Sequence, residues 1–327
     1  MGKNNESIWI TWENQRRTNE LAAALGVPLY KYLSSQRYLI RVWLLSLRTS
    51  LKLLLTRPKR VIVQNPSIVL ATVACFMKPL LGYTLVVDRH SNFRLERAHL
   101  PSLKEKVFQL LSRYTIRRAD LTIVTNEFLK NVLESWGGRG FVLQDKLPNL
   151  ALAERIELAG RANVVFVCSY SGDEPVTEVI EAARLISPSI VIYITGNSGK
   201  LPKQIRDAAP SNAIFTGFLD EKNYQSLLYS ADVVMVLTSA EHFLLCGAYE
   251  AVALGRALIV SRTNDLMDYF HKGVTFTENN APDIAKAIEH AIDDRRRLES
   301  ETIDLARELS DTWRTRFTLL TQMIESL

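Results

Sequence analysis

Short apolar runs alternate with stretches of helical spacing along the whole chain. Residues 7–12, 60–64, 84–88 and 121–124 predict strands, and residues 14–25 predict a helix closed by Gly26. The same grammar returns in the second half. Strands are expected over 163–168, 190–195, 213–216, 233–237 and 257–260, and helices over 176–186, 221–230, 248–254 and 281–292. Strands separated by helices build parallel sheets with right-handed crossovers, so both halves read as doubly wound, Rossmann-like α/β domains. The expected domains are 1–150 and 151–327, joined near Pro148-Asn149 and the polar stretch 151–160. Residues 300–327 make a helix too long for a last crossover, which is expected to pack back across both domains. Gly137 to Gly140 follows a helix and reads as a turn.

Composition narrows the class. The 327 residues are 47% hydrophobic and 23% charged, enough for two ordinary cores, and the mean hydropathy of zero excludes a disordered chain. The most apolar stretch, 61–87, is interrupted at residues 64–67 and 78–79, short of the roughly 20 residues a spanning helix needs. No secretory apolar region stands at the start. Three cysteines without a close pair support neither a disulfide framework nor a zinc finger, so a cytoplasmic setting is expected.

The net charge of +5 conceals an asymmetry. Up to residue 150 there are 23 Lys/Arg against 10 Asp/Glu, or +13; the remainder has 17 against 25, or −8. A basic first half points to an anionic partner. Residues 36–58 carry Arg37, Arg41, Arg48 and Lys52 within about 60° of one another on a helical wheel that is otherwise largely apolar. Either this helix meets an anionic membrane surface, with Trp43 and leucines entering the interface, or it is a core helix with one solvated polar face. Nucleic acid is not expected, because no binding module accompanies the charge.

Several chemistries are struck off by inspection. The chain has no G-x-x-x-x-G-K-[ST], no G-x-G-x-x-G after a strand, no G-x-S-x-G and no H-E-x-x-H. Without a D-x-D pair there is no candidate manganese site, so no metal and no cofactor are expected. A bound diphosphate would be neutralised by backbone amides and side-chain cations. One segment, 231–261, offers such amides. A strand ends near Thr238, a loop carries Glu241, Cys246 and Gly247, and a helix is expected to begin near Ala248 with Glu250 in its first turn. That acid either accepts hydrogen bonds from a ribose diol or only complements the helix dipole.

Residues 250–259 resemble the donor motif of the family-4, glycogen-synthase-like glycosyltransferases of GT-B fold, in which a glutamate is followed by small-x-x-x-Gly-x-Pro-hydrophobic. The resemblance implies that Glu250 binds the nucleotide ribose, and that a second glutamate, expected at position 242, is replaced by Glu241 one residue early. Other segments follow in family order. Gly196 and Asn197 end a strand as the family's Gly-Asp/Asn-Gly does, and Gly217-Phe218 resembles the turn whose backbone meets the nucleobase. Leu147-Pro148-Asn149 resembles the interdomain I-P-N-G. Residues 119–125 resemble the family's A-D-x-v-i-x-v-S strand, 85–90 its turn ending in a histidine, and Trp313 a tryptophan of the closing helix. The implied fold is GT-B, two Rossmann-like domains facing across a cleft. The implied activity is metal-independent transfer of a sugar from a nucleotide donor to a hydroxyl acceptor. The family's Arg and Lys after the first C-domain strand have no counterpart in 168–175: either Ser169 and the other hydroxyls and amides of this loop meet the diphosphate with help from Arg262 or Lys200, or donor binding is weaker or lost.

The first-domain loops supply the other candidates. Glu13, Asn14, Arg16, Arg17, Asn65, Arg89 and Asn92 fall at predicted carboxyl ends of strands, where acceptor-binding groups are expected. His90, Asp88 and, from the second domain, Glu241 are the catalytic candidates; for His90, proton transfer and an orienting hydrogen bond stay open. The donor side comprises Glu250, Cys246, Gly247, Ala248, Gly217, Phe218, Gly196, Asn197 and Ser169. The expected setting is surface polysaccharide or glycolipid synthesis, peripheral at the inner face of the cell membrane, with an acceptor that is lipid-linked or a polysaccharide. A nucleotide-sugar 2-epimerase and a non-catalytic GT-B-like subunit are the alternatives.

Overall fold

The computed structural model describes residues 6–65, 67–90, 102–151 and 153–327. The chain forms two compact units, Met1–Lys146 with Trp313–Leu327, and Leu147–Thr312. In the first unit, strands β1 (Ser7–Thr11), β2 (Leu29–Lys31), β3 (Arg60–Asn65), β4 (Thr84–Arg89), β5 (Leu121–Val124) and β6 (Gly140–Val142) form a parallel sheet in the order β2-β1-β3-β4-β5-β6. Helices α1 (Arg16–Ala24), α2 (Tyr38–Thr56), α3 (Ile68–Leu81), α4 (Leu103–Arg118) and α5 (Glu127–Ser135) connect them.

Both faces of this sheet are covered, as a parallel sheet requires. Ile8, Ile10, Val61, Val63, Leu85 and Val87 pack with residues of α2 and α3. The intervening Trp9, Ile62 and Val86 pack on the opposite side with α1 and with Trp313, Leu320 and Ile324. Pro79 sits in the last turn of α3, which closes on Gly82 at φ +73°. One local expectation changes. Gly140 opens β6 and does not remain in a turn.

The second unit contains β7 (Ala162–Phe166), α6 (Val176–Leu185), β8 (Ile190–Thr195), α7 (Lys203–Asp207), β9 (Ala213–Gly217), α8 (Glu221–Ser230), β10 (Val233–Val236), α9 (Cys246–Ala253), β11 (Ala257–Ser261), α10 (Asn264–Tyr269), β12 (Val274–Thr277) and α11 (Ala281–Asp293). Its parallel sheet runs β12-β11-β10-β7-β8-β9. The final helix α12 (Arg295–Glu325) begins in this unit, and its residues from Trp313 onward belong to the first. There Trp313 stacks on Phe317 at 4.8 Å. Among the described residues no helix is long and apolar enough to cross a membrane.

The two strand orders fix where ligands can be met. In each sheet the connections leave the first strand in both directions, and the loops separate at the carboxyl ends there. These switch points lie between β1 and β3 in the first unit and between β7 and β10 in the second.

Candidate functional site

In the second unit, a pocket of about 350 Å³ opens at the carboxyl ends of β7, β8 and β9, lined by Val167, Cys168, Thr195, Gly196, Phe218, Leu219, Asp220, Glu221 and Tyr224. Local chemistry shapes it. Gly196 has φ +89°, and a Cβ there would stand 2.3 Å from the Cys168 carbonyl oxygen, so only glycine lets the two strand ends approach. The Thr195 hydroxyl accepts the Cys168 N–H at 3.0 Å. Asp220 accepts the Asn223 N–H and starts α8. One turn on, α8 delivers Tyr224, whose hydroxyl donates to Glu250 Oε2 at 2.6 Å. Phe218 is 89% exposed at the rim and presents an aromatic face to any planar ligand.

Glu250 is thus placed differently from the sequence expectation. Helix α9 starts at Cys246, two residues early, which moves Glu250 into the second turn and removes the simple dipole-capping role. Its carboxylate is held by a phenol 26 residues away along the chain. Leu245 caps α9 with its backbone alone. Gly247 and Ala248 are buried, and a Cβ on Gly247 would meet Val167 Cγ1 at 2.9 Å; this glycine lets the helix start press on the β7 loop. Cys246 is exposed. Asn197 caps a short turn by accepting the Gly199 N–H.

The loop after β7 already binds an anion of its own. The Glu174 carboxylate accepts the N–H of Ser169 and of Ser171, at 3.0 and 2.8 Å, and the Ser169 hydroxyl at 3.1 Å. Tyr170, between those amides, has φ +57° and donates its own N–H to Cys168 Sγ at 3.2 Å, so the Ser169 and Ser171 N–H groups converge on one anion as in a nest. Lys200 Nζ donates to the Ser169 carbonyl at 2.7 Å and stands at this loop, whereas Arg262 is paired with Glu278. Asp173 spans the switch point. Its carboxylate accepts the Thr238 hydroxyl at 2.5 Å, and its carbonyl accepts the Ser239 N–H at 2.7 Å. Burial works against ionisation of Asp173, but hydrogen bonds from Ser171 and Thr238 outweigh it and hold the carboxyl below its usual range. Burial, with Glu174 beside it, pushes the Cys168 thiol up to about 12. Glu241 is exposed in the loop after β10; the neighbouring His242, at φ +65°, contacts Asp265 Oδ2 through Nδ1 at 2.8 Å.

In the first unit the candidates divide. Arg17 and Asp88 are not free for an acceptor. Both are buried and paired, with Arg17 Nε and Nη2 donating to Asp88 at 3.0 and 2.9 Å and Nη1 to Asp145 at 2.5 Å. Burial alone would raise the Asp88 pKa, but Arg17, then His90, bring it down to about 2, too acidic for a general base. Arg17 also donates to the Leu143 carbonyl and thereby ties α1, β4 and the segment after β6 together. Arg89 is fully buried with Nη2 donating to Ser112 of α4 at 2.8 Å, so it too braces the fold.

His90 Nδ1 lies 3.7 Å from Asp88 Oδ2, an ion-pair distance longer than a hydrogen bond. Asn65 pairs in register with Arg89 on the adjacent strand, so its amide shares a strand edge with His90. Asn65 Nδ2 is buried with no hydrogen-bond partner among the described residues. Glu13 is half-buried, accepting from Gln15 at 2.9 Å; Asn14 is exposed and accepts from Lys31 at 3.2 Å; Arg16 is half-buried. Asn92 lies outside the described residues. Among the described residues no group of three or more His, Cys, Asp or Glu is placed to hold a metal ion.

Sequence reasoning missed Tyr224 and the role of Glu174. No spacing links Tyr224 to Glu250, because they sit on different helices. Glu174 was visible only as part of a loop lacking cations.

The geometry can be set beside known proteins. Residues 161–294 match the family model described as glycosyl transferases group 1. Sucrose-phosphate synthase from Thermosynechococcus elongatus is similar over 98% of both chains at 15% identity, with a TM-score of 0.78. HepE from Anabaena, in complex with UDP and glucose, is similar over 98% of this chain and all of its own at 13% identity and a TM-score of 0.75. A putative UDP-N-acetylglucosamine 2-epimerase from Listeria monocytogenes is less similar, with a TM-score of 0.65 at 13% identity over 92% of this chain and 91% of its own. No curated protein matches by sequence. The domain match covers the unit that holds the pocket, Tyr224 and Glu250, and the structural matches run through both units: residues 161–294 match the glycosyl transferases group 1 model, and the chain has a GT-B fold.

Proposed function

We propose that the second unit binds a nucleotide sugar with its nucleoside in the pocket at the ends of β7–β9, and that the protein transfers the sugar, without a metal ion, to a hydroxyl acceptor bound by the first unit. The Tyr224–Glu250 hydrogen bond carries this reading: it fixes a carboxylate beside the pocket wall, in position for two hydroxyls of a ribose. Phe218 and the Gly217 backbone provide a face and edge for the base. With Glu174 displaced, the Ser169 and Ser171 amides and the Ser169 hydroxyl, together with the start of α9 and Lys200, meet the diphosphate. The bond between the anomeric carbon and the diphosphate oxygen breaks as the acceptor oxygen bonds to that carbon, and stabilising the departing diphosphate supplies the electrostatic part of catalysis.

His90, beside the fixed charge of Asp88, takes the acceptor proton, and the Asn65 amide orients the acceptor. HepE's recorded complex with UDP and glucose supports a uridine donor as the first probe. The acceptor class that fits the basic first unit is lipid-linked or polysaccharide, in surface polysaccharide or glycolipid assembly at the inner face of the cell membrane. Calorimetric titration with UDP-glucose, other UDP-sugars and GDP-sugars tests the donor site. One should bind, and Glu250→Ala should weaken it by about 1–3 kcal/mol. No binding of any of them, or unchanged affinity in the variant, overturns this reading; epimer formation without acceptor would assign the protein to the epimerases.

A further inference from the structure

The outer side of the first unit's helical layer is built unlike that of a water-facing domain. Helices α2, α3 and α4 lie side by side on the sheet, α2 against α3 and α3 against α4. On α2, only Leu45, Thr49 and Leu53 are buried. At 100° per residue, Ile40, Leu47 and Leu51 fall roughly opposite that strip, and all three are exposed. Trp43 is 66% exposed and Leu55 83%. Leu80 on α3 and Leu110 on α4, the neighbouring helices, are exposed as well. The core-helix reading of α2 is therefore excluded, because its larger apolar face is turned outward. The exposed apolar arc of α2 marks an interaction site.

Charge identifies the occupant. Between Glu20 and Asp88 the sequence contains no acidic residue and nine Lys/Arg. On α2 the cations fall along one margin of the exposed apolar arc, where aromatic rings hold them: Arg41 over Tyr38 at 5.9 Å, Arg48 over Tyr32 at 4.4 Å and Lys52 over Tyr30 at 3.8 Å. An apolar face that includes Trp43, edged by tyrosines and cations and without a carboxylate on α2, matches the layering of a bilayer interface. We propose that the α2–α3–α4 layer is a docking surface for an anionic lipid membrane, with α2 lying in the interface plane and its leucines and Trp43 entering the acyl boundary.

This inference rests on the reading that the acceptor is presented at a membrane, and its test reads lipid binding independently of donor binding. Flotation of the full chain with vesicles of phosphatidylcholine containing phosphatidylglycerol, against phosphatidylcholine alone, should show binding to the anionic vesicles that weakens with salt. The triple variant Leu39→Ser, Trp43→Ser, Leu47→Ser alters only exposed side chains. It should reduce that binding by at least about tenfold while leaving the melting temperature and UDP-glucose affinity unchanged. A single variant, Trp43→Ser, provides the same readout in smaller measure if the triple fails to fold. Equal vesicle binding by wild type and variants overturns the proposal. So does a lipid-independent dimer, seen by light scattering, that the substitutions dissolve, because the face would then be covered by a second copy.

Discussion

Carboxylates organise the sheet edge in both units, but they are held in opposite ways. In the first unit Asp88 is fully buried and gripped by the Arg17 guanidinium. In the second, Glu174 is held by neutral donors, two backbone amides and a serine hydroxyl, in an exposed loop. A buried charge paired with another has no solvent alternative, so its loss is structural. A carboxylate in an amide nest can be exchanged for another anion that the same N–H groups would accept. The outer surfaces differ as well. The second unit exposes large apolar side chains at Ile156, Leu185, Phe218, Tyr229 and Ile303, while most of those exposed in the first lie on α2, α3 and α4. The second unit thus offers a pocket at a polar sheet edge, and the first an exposed apolar helical face.

The largest effect should come from breaking the buried pair. Arg17→Met leaves Asp88 as an uncompensated buried charge and should cost about 3–5 kcal/mol in urea unfolding; a loss below about 1 kcal/mol would make the pair ornamental. The same pair sets an acid limit. The folded Asp88 pKa of about 2 lies below the ordinary 3.8, so its contribution is complete above the ordinary value and is lost as pH falls through about 2. Unfolding midpoints measured from pH 5 downward should therefore drop in wild type between those values, and Asp88→Asn should flatten that part of the profile.

A smaller effect sharpens the donor side. Tyr224→Phe removes one charge-assisted hydrogen bond from Glu250 and should weaken UDP-glucose binding by about 1 kcal/mol without lowering the melting temperature. Unchanged affinity would show that Glu250 is positioned by other contacts. Smaller still is the change at the nest. Glu174→Gln keeps the shape and an acceptor oxygen but removes a negative charge from the loop, and should tighten UDP-glucose binding a few-fold. Weaker binding in that variant would mean the carboxylate supports the site by shaping the loop, and does not compete with the donor.

Much of this architecture was legible in the sequence because the strands are buried on both faces. Runs such as Val61–Val63 and Val233–Val236 are continuous apolar segments bounded by polar ends, and their order with intervening helices suffices for doubly wound units. The three-residue β2 and β6 were not, since segments so short carry no periodicity. The start of α9 was misread because Cys246-Gly247 looks like an approach to a helix, whereas Gly247 is helical and is small for contact with Val167. Charged residues were the least legible. Arg17 and Asp88 look like polar loop residues, and only the tertiary fold shows that each neutralises the other over 71 positions. Helix α2 was half legible: its cationic stripe could be read from spacing, but which apolar side faced outward depended on packing against α3.

A crystal structure of the full chain with UDP would test the donor account most directly. The expected result is UDP in the second unit, its ribose hydroxyls within hydrogen-bond distance of Glu250 and its base beside Gly217 and Phe218. UDP bound elsewhere, or a Glu250 carboxylate bonded to Tyr224 but to no part of the nucleotide, would contradict it.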